Sequence, residues 1–177
     1  MELRAGFQIP TLIKALTDVV LPAVDPANKL AQEQGQLIVG MLHLMAQRLP
    51  LQYRYDRHEL QHFLTLADQL SAQADALPEA REALAGLADA TARGQATLAA
   101  AGIEPMQLEA ANHALRAATG AVVSATATAA DDAAVKAIGR TVLAHAEAML
   151  LRERAWVVPQ GWEGPNAGLP ALETLIG

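Results

Sequence analysis

His58, Glu59 and His62 stand in the stretch RHELQHF with the spacing His-Glu-x-x-His. On a helix this spacing sets two imidazoles one turn apart, able to hold a zinc ion, with the glutamate between them as general base. His58 and His62 are thus the candidate metal ligands, and a divalent-metal-dependent hydrolase is the enzyme class they suggest.

A pattern this short arises by chance, so its surroundings carry the weight. Asp68 follows His62 by six residues, where the chain resembles metzincin-like proteases, whose third ligand occupies that place. The resemblance covers only residues 58–68. It departs from the family at Thr65, where those proteases have the glycine that turns the chain. Without that turn Asp68 stays on the helix of the two histidines, and no strand to align a substrate is legible. At about 100° per residue, His58 and His62 fall roughly 160° and 120° from the centre of their helix's apolar stripe, which predicts a solvent-facing pair. Glu59 has a structural reading as well: DRHE fits a capping box with Asp56 as N-cap. No catalytic residue is assigned, and no cofactor is expected.

Other chemistry is sparse. A di-iron carboxylate bundle requires Glu-x-x-His on two helices, and only Glu59 and His62 provide that spacing; Glu109 and His113 are one residue too far apart. His145 falls at the edge of an apolar face and reads as a partly buried, hydrogen-bonded histidine, or as a pH-sensitive or ligand-contacting one. Met41 and Met45 sit at core spacing as gap-fillers. Nucleophile elbows, phosphate-binding glycine loops and dinucleotide fingerprints do not occur.

Composition bounds the class. The 177 residues are 52% hydrophobic, 18% charged and only 3% aromatic, with no cysteine. Alanine, the best helix former, supplies much of the apolar share. A net charge of −6 and the lack of a basic helix face argue against nucleic acid, whose phosphates demand a Lys/Arg surface. The absence of cysteine removes disulfides, thiolate metal sites and cysteine nucleophiles together. No signal peptide is evident, and the most apolar run, LIVGMLHLMA, is too short to cross a bilayer. A cytoplasmic protein without a membrane partner is the expectation.

Proline and glycine mark out the elements that must position any site. They predict an all-α, single-domain bundle of about six antiparallel helices spanning residues 1–177, with an irregular Pro/Gly-rich C-terminal strap over 155–177. The first helix opens after Ile9, with Pro10 in its first turn, and Pro22 ends it. The second runs from about 26 to 48, capped by Asp25. The third begins near Arg57 and continues to about Ala76, and the fourth starts at Pro78 with Gly102 as C-cap. The fifth starts at EPMQLEAA; the sixth covers about 130 to 154 after an Asp131–Asp132 start. The strap carries Trp156 and Trp162, both expected to be covered, and ALETLIG forms a last helical turn.

The second helix is apolar over more than half its circumference, which places it at the bundle centre or in an oligomer interface. Mean hydropathy is +0.16. These features favour a non-catalytic interaction or scaffold domain that forms a homo-oligomer, most simply a dimer contacting through Val39 or Leu42. The remaining alternatives are the hydrolase above and a binder of an apolar small molecule between bundle and strap, with Trp156 or Trp162 at its rim.

Overall fold

The computed structural model describes residues 4–164 and 167–177. It is all-α: helix accounts for 83% of the chain, and no strand occurs among the described residues. Among the described residues six longer helices carry the fold, α1 (Ala5–Ala15), α3 (Lys29–Arg48), α4 (Gln52–Ala74), α5 (Arg81–Ala99), α6 (Pro105–Thr126) and α7 (Asp132–Val157); α2 (Leu21–Ala23) and α8 (Leu172–Leu175) are single turns. No described helix is long and apolar enough to cross a membrane.

Several helix ends differ from expectation, each for a local reason. α1 starts at Ala5 rather than after Ile9, with Ile9 buried one turn inside it. Pro10 then lies inside it. Pro22 does not stop the chain's helical path: it has no amide for the carbonyl of Asp18, and the backbone widens into a π turn over Leu16–Val20 just ahead of it. The N-cap of α3 is Asn28, whose Oδ1 accepts from the Ala31 amide at 3.1 Å. Asp25 instead closes a small turn onto the Ala27 amide at 2.9 Å. α4 begins at Gln52, because a 3₁₀ turn over Leu49–Leu51 feeds straight into it, so Asp56 lies within the helix rather than at its N-cap. α5 is closed by Ala100, not by Gly102, whose φ is not positive.

The α6 and α7 starts follow the sequence closely. Glu104 and Gln107 form a reciprocal capping box with Pro105 at the first helical position. Asp131 Oδ1 accepts from the amides of Ala133 and Ala134, both at 3.0 Å.

The contacts divide the chain into two compact units, Met1–Gln52 with Arg152–Leu175, and Tyr53–Leu151 with Ile176–Gly177. In the second unit, leucines at helical spacing close a continuous core: Leu60, Leu70, Leu87, Leu108, Leu115 and Val122 are fully buried. Gly94 lets α5 approach closely, since a Cβ there would lie 3.1 Å from Leu115 Cδ1 and 3.3 Å from Leu64 Cδ2.

The first unit is built around the packing of α1 on α3. A side chain at Gly35 would collide with Leu21, so this glycine sets the approach of the two segments. Arg48 donates from Nε to the Trp156 carbonyl at 2.8 Å and from Nη2 to the Ala155 carbonyl at 3.0 Å. These are among the last carbonyls of α7, which a helix leaves without internal partners.

Candidate functional site

α4 places His58 and His62 one turn apart, as the spacing requires, but it does not turn them out into water. Both are half-buried. The His62 ring stacks on His145 of α7, centroids 3.9 Å apart and planes at 18°, and His58 continues the stack at 6.4 Å and 13°. Phe63 packs against His145 from the side at 5.0 Å. The expectation of a solvent-facing pair is therefore corrected. The apolar stripe of α4 was located properly, but α7 lies over its edge and covers the imidazoles.

This geometry bears on metal chemistry. Ring-nitrogen lone pairs lie in the plane of the imidazole, so near-parallel stacked rings direct them side by side rather than toward one point. His62 Nε2 also faces the His145 carbonyl at 3.5 Å, the outer limit of a hydrogen bond. Asp68 is exposed further along α4, and no group of three or more His, Asp or Glu side chains gathers around a common point among the described residues.

Glu59 does not cap α4. It accepts a hydrogen bond from Arg116 Nη2 of α6 at 2.7 Å, and the Arg116 guanidinium lies 5.5 Å from the Phe63 ring centroid. The pattern's glutamate thus ties two helices together beside the core. The Asp56 carbonyl accepts from the buried Asn112 Nδ2 at 2.9 Å.

Beside the imidazole stack, α4 and α7 enclose a groove of about 400 Å³, lined by His62, Thr65 and Gln69 on one wall and by Arg140, Thr141 and His145 on the other. Thr141 Oγ1 accepts from Gln73 Nε2 at 2.8 Å. Sequence reasoning missed Gln69, Arg140 and Thr141. A signal existed on α4, where His58, His62, Thr65 and Gln69 recur on one helix face. Nothing in the sequence pairs that face with α7.

The strap follows a different logic. Gly161 adopts a left-handed φ of 73° after the 3₁₀ turn Val158–Gln160, and Glu163 then folds back to accept from Arg154 Nε and Nη2, both at 2.8 Å. The hydrogen bonds from Arg154 hold the Glu163 carboxyl below the ordinary 4.5 of a carboxylate, against a smaller opposing effect of burial. With Glu163 drawn inward, its neighbour Trp162 projects outward and is 70% exposed, contrary to the expectation that both tryptophans are covered. Trp156 is half-buried under the Arg48 guanidinium, 5.9 Å from its ring centroid. A cavity of about 430 Å³ does lie along the strap, lined by Val158, Leu169, Pro170 and Leu172 together with Arg48, Glu163 and Glu173, and neither tryptophan lines it among the described residues.

No family model, curated protein or solved structure matches this chain.

Proposed function

We propose that the protein works by contact, as an interaction module of the cytoplasm that pairs with a second copy of itself through α3 and the neighbouring α1 segment. One observation carries this reading. Of sixteen large hydrophobic side chains that stand exposed among the described residues, ten lie between Phe7 and Leu49. On α3, taking about 100° per residue, Leu30, Leu37, Ile38, Met41 and Met45 fall within an arc of roughly 100°. Each of the five is at least half exposed. Monomeric proteins rarely leave so contiguous an apolar stripe in water.

The stripe also suits a copy of itself. In a two-fold interface the same patch faces its own image, so a charge near the axis meets its own copy. No charged residue occurs between Glu33 and Arg48. Val39 and Leu42, the contact residues first expected, are half-buried instead, and the outward arc beside them takes their place.

Light scattering on the full chain tests the proposal. The expected mass at micromolar concentration is that of a dimer, and Ile38→Glu is expected to give a monomer with an unchanged helical circular dichroism spectrum. A wild-type monomer at tens of micromolar would overturn it.

A further inference from the structure

We propose that the groove between α4 and α7 is a binding site for a compact, doubly charged oxyanion such as phosphate or the head of a phosphate monoester. The inference is independent of self-association, since the groove belongs wholly to the second unit.

Beside the apolar Leu66 and Ala144, its lining carries several hydrogen-bond donors. Arg140 stands at one wall, exposed, and forms no hydrogen bond or ion pair with any described residue. A planar guanidinium offers paired N–H groups that match two oxygens of a tetrahedral anion. Gln69 provides an uncommitted side-chain amide on the opposite wall, and Thr141 adds a hydroxyl; the Thr65 hydroxyl already donates to the Gln61 carbonyl at 3.1 Å. The stacked rings of His62 and His145 close one end of the groove.

The lining contains no carboxylate. That matters in a chain of net charge −6, in which acidic groups outnumber basic ones by 19 to 13. Asp68 on α4 and Glu147 on α7 occupy adjoining turns, yet neither lines the groove. Cation and neutral donors have thus collected in one concave place while the acids are kept to its flanks. The volume of about 400 Å³ leaves room for an anion of this size with part of its hydration shell. The Arg140 guanidinium, which stays cationic and has no lone pair to offer, favours an anion over a metal cation at this wall.

The test is a titration of the untagged full chain with inorganic phosphate at constant ionic strength and pH, read by the imidazole proton resonances of all five histidines. The resonances of His62 and His145 are expected to shift saturably, while those of His43 and His113, both exposed and outside the groove, serve as references. Arg140→Gln is expected to weaken the apparent affinity about tenfold or more, the scale of a lost charge-assisted hydrogen bond. Lys136→Gln, one turn away on α7, is expected to change it by no more than roughly twofold, because an exposed charge at that distance is largely screened. Sulfate, a dianion of the same shape, is expected to compete. Both substitutions are at exposed positions, and circular dichroism verifies the fold of each variant. Shifts that stay linear, that appear equally at His43 and His113, or that persist unchanged in Arg140→Gln would overturn the assignment.

Discussion

Leu115 and Leu37 are the same side chain in opposite circumstances. Leu115, in the second unit, is fully buried among Leu60, Leu64 and the backbone of Gly94, whereas Leu37, in the first, is 55% exposed. The contrast extends to their units. The second closes its leucines into one continuous core, while the first buries few large apolar residues, among them Ile9, Leu44 and Leu172, and leaves an apolar arc on α3 outside. Hydrophobicity per residue does not separate the two regions. The difference lies in whether neighbouring helices supply a facing stripe for every apolar arc. Where they do, burial at about 25 cal/mol per Å² holds the unit together; where they do not, the same driving force remains available for association.

Truncation at the two leucines gives the sharpest test. Leu115→Ala removes side-chain volume from a filled interior and is expected to cost about 2–5 kcal/mol in urea unfolding. Leu37→Ala is expected to stay within about 0.5 kcal/mol of wild type when measured on dissociated chain. Equal losses at both positions would erase the distinction between the units.

Added volume makes the second test. Gly94→Val forces two more methyl groups against Leu115 and Leu64 and is expected to cost about 1–3 kcal/mol. Gly86, on the same helix, has nothing within 4 Å of a Cβ. Gly86→Ala is therefore expected to stabilise by roughly 0.5–1 kcal/mol through helix propensity alone. If the two substitutions moved stability in the same direction, the close packing at Gly94 would be in doubt.

Smaller effects refine the picture. Glu59→Gln keeps the shape of the side chain but removes its charge opposite Arg116, whose side chain is 52% exposed. The expected loss is below about 1 kcal/mol, with helix content unchanged, because Glu59 joins α4 to α6 and does not cap α4. A drop in helicity confined to the start of α4 would restore the capping role.

Acidification should act on the first unit at the strap. The Glu163 carboxyl is held below its ordinary value by Arg154, so its contribution is fully present above pH 4.5 and is lost as pH falls through the lower, folded-state value. Emission from Trp162, isolated in a Trp156→Phe background, is expected to change in that acidic window and to lose the dependence in Glu163→Gln. An unchanged profile would show that the pair does not hold the strap.

Much of the fold was legible because it depends on local physics. The α6 start is written in Glu104-Pro105 and Gln107, and the α7 start in Asp131; both act within one turn of backbone. Leu108, Leu115 and Val122 could be assigned to a core because their spacing fixes a common face. The DRHE stretch misled for an equally physical reason. Its residues suit a cap, but a cap forms only where a helix begins, and the 3₁₀ turn at Leu49–Leu51 had already started α4 upstream.

The histidines mark the same boundary more clearly. Their angular position on α4 follows from 3.6 residues per turn, but their exposure depends on what lies over them. His145 is 83 residues further along the chain. No helical periodicity relates positions so far apart, and nothing in the spacing shows that Arg140 and Thr141 share a groove with His62 and Gln69. By itself, then, the sequence determined the all-α class, most of the helices and the face each turns inward, since these follow from hydrogen bonding and side-chain spacing within a few turns. The tertiary structure alone decided that the imidazoles stack, that Glu59 reaches Arg116, and which apolar arc remains uncovered, because each depends on which helices meet.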